Sequence, residues 1–153
     1  MKKSKKSKSA SPVVELLDLV LADSYSLMAL THSAHWNVEG PNFFSLHTAF
    51  EEQYQDLFTA VDELAERIRF LKAYAIGGLG RFAKVSGLQE PSGPLSARDY
   101  VTSLLEAHEK TIKDFTALRD AAGEAEDAET QDMAIARLQW HQKIVWMLKS
   151  WMK

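Results

Sequence analysis

The sequence predicts an all-α fold, a bundle of four long helices with a short helix in a long crossover between the second and third. Three observations predict it. Apolar residues recur every three or four positions over long stretches, no alternating strand pattern of any length appears, and the glycines and prolines gather mainly in one block. With 153 residues and 46% hydrophobic content, the chain can bury one sizeable core and is short for two.

The first helix is expected from Pro12 to about Val38, where Val13, Leu16, Leu17, Val20, Leu27 and Leu30 form an apolar stripe. Ser11 followed by proline at the first helical position is a start signal. Beyond a break at Gly40-Pro41, Phe43, Leu46, Phe50, Tyr54, Leu57, Val61, Leu64, Ile68 and Leu71 advance by three or four, the strongest periodicity in the chain. Residues 75–95 then collect Gly77, Gly78, Gly80, Gly87, Pro91, Gly93 and Pro94, too long a connection for a simple helical hairpin. A short helix is expected inside it, around Arg81 to Ser86. Ser96 with Asp99 reads as a variant capping box for a third long helix through Tyr100, Leu104, Ile112, Phe115 and Leu118, stopping near Gly123. The acidic run EAEDAET suits a turn and a helix N-terminus, and Ile135, Leu138, Val145, Leu148 and Trp151 carry the fourth long helix to the end. One long crossover between the second and third long helices is the connectivity of ferritin-like bundles.

The net charge of −3 conceals a division. Lys2, Lys3, Lys5, Lys6 and Lys8 stand in residues 1–11 without an acid, while the remaining 13 basic residues face 21 acidic ones, so the body carries −8. Residues 1–11 are therefore expected to be a flexible lysine-rich tail on a bundle domain of residues 12–153. Glu15, Asp18 and Asp23 interrupt the apolar segment after the tail, which excludes a clean signal peptide, and no apolar run is long enough to span a membrane. The chain reads as soluble and cytoplasmic. Without cysteine, any metal must sit on histidine and carboxylate ligands.

The second helix carries residues that a plain amphipathic reading does not use. Taking His47 as zero and about 100° per residue, Glu51 falls near 40°, Asp62 near 60° and Glu66 near 100°, while Phe50, Leu57, Leu64 and Leu71 cluster between about 240° and 300°. His47 with Glu51 and Asp62 with Glu66 are i, i+4 pairs suited to a divalent ion that prefers nitrogen and oxygen ligands. They cannot share an ion within one chain, because 15 residues separate His47 from Asp62 by about 22 Å along the axis. Two such helices packed antiparallel about a two-fold axis near position 56 or 57 bring His47 and Glu51 of one chain level with Glu66 and Asp62 of the other. His35, at the end of the first helix, can join His47. The alternative for Asp62 and Glu66 is a solvated face with surface ion pairs to Arg67 and Arg69. The Glu-x-x-His pairs that build a two-metal site inside one bundle are missing. His108 and His141 read as core or interface histidines, and His32 stays open between roles.

The block HWNVEGPNFFSLHTAFEEQYQDLFTAVDELAERI, residues 35–68, closely resembles the Dps-type miniferritins, the DNA-binding proteins from starved cells. The resemblance extends over the body from about residue 13 and implies a hollow dodecamer of four-helix subunits. It implies a ferroxidase centre between two-fold related subunits, with His35, His47 and the carboxylate four residues on from one chain, and Asp62 and Glu66 from the other. Glu51 departs from the aspartate usual in the family. Trp36 matches an aromatic implicated in taking up oxidising equivalents; packing at an interface is its plainer reading. The activity so implied is an oxidoreductase's: oxidation of Fe(II), preferentially by hydrogen peroxide and otherwise by oxygen, with storage of ferric mineral. Zinc is a possible substitute for iron at such ligands. The acidic stretch before the last helix matches the family's iron pores, making Glu126, Asp127 and Asp132 candidate pore residues, with a solvated turn as the alternative.

A tail of five lysines without aromatics can neutralise phosphates but cannot read bases, so binding to double-stranded DNA should be sequence-independent and salt-sensitive. Twelve tails on one particle multiply a weak contact; the alternative is a disordered solubilising tail, or one pinned to the acidic body by its own counter-charges. The reading is therefore an iron-oxidising, iron-storing homo-oligomer that protects DNA and associates with the nucleoid. The competing reading is a nucleoid-packing or structural shell protein with an inactive or zinc-occupied metal site.

Overall fold

The computed structural model describes residues 11–153; the five lysines of the tail lie outside the described residues. The described chain forms α1 (Pro12–Asn37), α2 (Phe43–Phe70), α3 (Leu79–Ser86), α4 (Ala97–Glu124) and α5 (Ala128–Trp151). The caps act as the sequence predicts. Ser11 accepts a hydrogen bond from the Val14 amide at 3.3 Å, and Ser96 accepts one from the Asp99 amide at 3.1 Å while its hydroxyl donates to the Asp99 carboxylate. The short helix begins two residues before Arg81, because Gly78 adopts a positive φ of 99° and supplies the N-cap.

Two apolar clusters reveal the topology. One joins the start of α1 (Leu17, Leu21) to the ends of α2 (Leu64, Ile68) and α4 (Phe115, Leu118) and to the start of α5 (Ala134, Leu138). The other joins the end of α1 (Leu27, Ala34) to the starts of α2 (Leu46, Phe50) and α4 (Val101, Leu104) and to the end of α5 (Ile144, Leu148). Hence α1 and α5 run one way and α2 and α4 the other. Since α2 finishes at the end of the bundle opposite the one where α4 begins, the chain must travel about 40 Å between them, the length of a 28-residue helix. That distance is why the crossover is long, and α3 lies within it against α1. Phe82 stacks on Tyr25 with ring centroids 4.4 Å apart, and the Ser86 hydroxyl donates to Ser26 at 3.0 Å. Among the described residues no helix is long and apolar enough to cross a membrane.

Candidate metal centre

The junction of α1 and α2 is held by two histidines. His35 Nδ1 lies 2.8 Å from the His47 carbonyl oxygen, and His47 Nδ1 lies 2.8 Å from the His35 carbonyl oxygen. A carbonyl only accepts, so each Nδ1 carries a proton, and in the neutral ring that tautomer puts the lone pair on Nε2. The His35 carbonyl is among the last four of α1, which lack a donor in their own helix, so His47 also closes the helix end. The rings stack at 3.7 Å, His35 buried and His47 half-buried. Two oriented imidazoles with Nε2 lone pairs, each fixed by a backbone carbonyl, are the donor chemistry that divalent iron or zinc takes.

Around them stands an aromatic group that periodicity did not single out. Tyr54 meets His35 edge-on at 5.2 Å and lies 4.2 Å from His32, whose ring is 4.0 Å from Trp36. His32 thus sits between Trp36 and Tyr54. Trp36 is 62% exposed.

Farther along α2, Asp62 and Glu66 are exposed and have no hydrogen-bond or ion-pair partner among the described residues. The surface pairs with Arg67 and Arg69 do not form. Arg67 turns to α5, bonding Asp127 at 2.7 Å and the Thr130 hydroxyl at 2.8 Å, and Arg69 donates to the Ala73 carbonyl and lies over Tyr74. Glu51, half-buried, accepts a long hydrogen bond of 3.5 Å from Gln55. Among the described residues of one chain, no three histidine or carboxylate groups come together to hold a metal ion.

Phe44 and Phe58 are 83% and 66% exposed. On the scale with His47 at zero they fall near 60° and 20°, on the face that carries Glu51, Asp62 and Glu66. Their angles, away from the core stripe, were the signal that could have found them. Large aromatics interleaved with uncompensated acids make an unusual solvent face.

The acidic turn before α5 divides by role. Asp127 caps α5, accepting from the Thr130 amide at 3.1 Å and its hydroxyl at 2.6 Å, besides the Arg67 ion pair. Burial opposes its charge, but Thr130 and Arg67 hold the carboxyl below the usual range. Glu126, with a positive φ of 56°, and Asp132 are exposed. His108 and His141 are fully buried between α4 and α5, with their Nδ1 atoms 2.9 Å apart.

With this geometry in place, comparison with known proteins assigns the family. The ferritin-like domain family matches residues 14–153. A DNA protection during starvation protein of Brevibacillus brevis is 35% identical over 141 residues, spanning 92% of this chain and 95% of the relative. The chain is a Dps-type member of the ferritin-like family. Its fold matches crystalline Dps from Staphylococcus aureus with a TM-score of 0.89 at 35% identity, covering 92% of this chain and 95% of that one. A Dps of Vibrio cholerae O1, described as a member of a broad superfamily of ferritin-like diiron-carboxylate proteins, matches with a TM-score of 0.88 at 30% identity, covering 92% and 89%. Helix order and bundle connectivity in this Dps-type chain are those the sequence predicts.

Proposed function

We propose that this protein oxidises Fe(II), preferentially with hydrogen peroxide, at sites shared by two-fold related chains, and stores the ferric product in a hollow dodecamer. The observation that carries the reading is the reciprocal His35–His47 clasp, which frees two Nε2 lone pairs at one end of an α2 face whose other end holds unpaired Asp62 and Glu66. Antiparallel pairing of that face buries Phe44 and Phe58 and supplies what each half lacks, neutral nitrogen donors from one chain and two negative charges from the other. Glu51 adds a third carboxylate. The relationship to the diiron-carboxylate superfamily supports iron as the substrate.

The redox balance is simple. Two Fe(II) ions give up one electron each, and one hydrogen peroxide takes both with two protons and leaves as two waters. Pairing the electrons avoids release of hydroxyl radical. Trp36, backed by His32 and Tyr54, is placed to accept an oxidising equivalent if the second iron is missing. Of the proposed pore residues, Glu126 and Asp132 keep free carboxylates to draw Fe(II) inward, whereas the charge of Asp127 is balanced by Arg67. The lysine tail binds DNA phosphates and brings the particle to the nucleoid, as the relatives named for DNA protection suggest.

Two experiments test the proposal. Asp62→Ala combined with Glu66→Ala should abolish peroxide consumption on anaerobic addition of Fe(II), while the particle elutes unchanged on sizing; retention of the rate would refute the site. Deleting residues 2–9 should eliminate a gel shift of duplex DNA at low salt, and a persisting shift would move DNA binding to the body.

A further inference from the structure

Midway along α1 a carboxyl group is buried against α4. Asp23 is fully buried, and Lys110 of α4 reaches it from a half-buried position, with Nζ 2.5 Å from Asp23 Oδ1 and 2.7 Å from Oδ2 of Asp114, one turn farther on. The other Asp23 oxygen, Oδ2, is buried without a hydrogen-bond partner among the described residues. Two carboxyls and one amine thus meet at one point, and the Lys110–Asp23 contact joins residues 87 positions apart. We infer that Lys110 and Asp23 condense into an amide that ties α1 to α4, with Asp114 as the acid–base partner.

An ammonium group does not attack and a carboxylate resists attack, so the bond needs a neutral amine facing a protonated carboxyl. The cluster already holds the protons required. Burial, and after it the Asp114 carboxyl, push Asp23 up to about 8, so at neutral pH Asp23 keeps its proton beside an ionised Asp114. Burial works against the Lys110 charge, but Asp114 and Asp23 outweigh it and raise the lysine's pKa, which leaves the cluster with no net charge. Passing one proton from Lys110 to Asp114 gives an amine and two acids, again with no net charge. The Lys110 nitrogen then adds to Cγ of Asp23, while Asp114 takes the proton that the nitrogen sheds and gives its own to the departing hydroxyl. One N–C bond forms, one C–O bond breaks and one water leaves; a crevice of about 170 Å³ between Gly87–Gln89 and α4 opens beside Lys110. Because the carboxyls favour the ammonium form, the amine is a minor species and the condensation is slow. Two features carry it forward. The reacting groups are held in contact, and well-oriented groups react as though present at about 10⁵–10⁸ M. The amide also replaces charged groups whose desolvation is costly with neutral ones, and burial of Asp23 shields it from hydrolysis. Asp114, ionised and on the same helix as Lys110, serves as the base rather than the group attacked.

The test is the mass of the full-length chain, denatured after prolonged incubation of the native protein at neutral pH. It should be one water lighter than the sequence requires, and fragmentation should place the loss in a branched species that joins the α1 peptide holding Asp23 to the α4 peptide holding Lys110. Closing that loop should also make the denatured chain run faster on a gel than Lys110→Arg, which keeps the charge and cannot form the amide. A chain at full sequence mass would overturn the proposal. So would a loss of water confined to one peptide, as a succinimide at an aspartate or a Lys110–Asp114 lactam would give. Asp114→Asn should stay at full mass over the time in which the unmutated chain is converted, and linkage as complete as in the unmutated chain would remove Asp114 from its role. The unmutated chain decides whether the bond exists, whatever the variants do to folding.

Discussion

At position 35, a helix end and a proposed ligand are secured by the same contact. The His35 carbonyl receives the His47 Nδ1 proton, and the bond is returned from His35 to the His47 carbonyl, so neither ring can rotate without exposing an unpaired backbone oxygen. That constraint fixes the tautomer that leaves Nε2 available for a metal. Lys72 shows the converse, a position whose conformation does not suit its side chain. It follows α2 with a φ of 66°, while the Ala73 amide donates to the Ile68 carbonyl to finish the helix. Glycine is usual in this left-handed position, because a Cβ there costs about 1 kcal/mol. Lys72→Gly should therefore raise stability by roughly 0.5–1 kcal/mol, read as a higher urea midpoint with an unchanged slope.

Between helices, the buried His108–His141 contact ties α4 to α5 and makes the bundle sensitive to acid. With two Nδ1 atoms 2.9 Å apart, one must donate and the other accept, so protonating both is incompatible with the pair. Burial pushes His108 down to about 3, with Arg137 adding to the shift, and burial, His108 and Arg137 push His141 well below its usual value. Both pKa values are depressed in the folded state. Their contribution is thus fully present above the unfolded value of about 6.5 and is lost as pH falls below it, for His108 toward about 3 at up to about 1.4 kcal/mol per pH unit, with His141 acting in the same direction. Urea midpoints between pH 7 and 4.5 should fall steeply, and His108→Gln should flatten that dependence; an equal slope in the variant would show that other groups carry it.

Across the whole molecule, legibility follows the range of the interaction. Helix boundaries were readable because Ser11 and Ser96 act within a few residues of themselves, and the acidic outer face of α2 because one helix period sets it. The short helix began earlier than expected, since a glycine N-cap at Gly78 leaves no side-chain signal. The Arg67–Asp127 pair, the His32–Trp36–Tyr54 group and the His108–His141 contact were not readable, because each joins different helices and depends on how the bundle closes. The same limit applies one level up. His47, with His35 of α1 beside it, and the Asp62–Glu66 pair stand at separate ends of α2, and the proposal that a second chain brings them together is the central claim about this molecule. Mixing tests it most directly. Particles reassembled from equal amounts of a His35→Ala/His47→Ala chain and an Asp62→Ala/Glu66→Ala chain should recover about a quarter of the unmutated rate of peroxide-driven Fe(II) oxidation, because half of the two-fold pairs are then mixed and each mixed pair has one intact site. Reassembled mixtures as inactive as either variant alone would contradict a shared site.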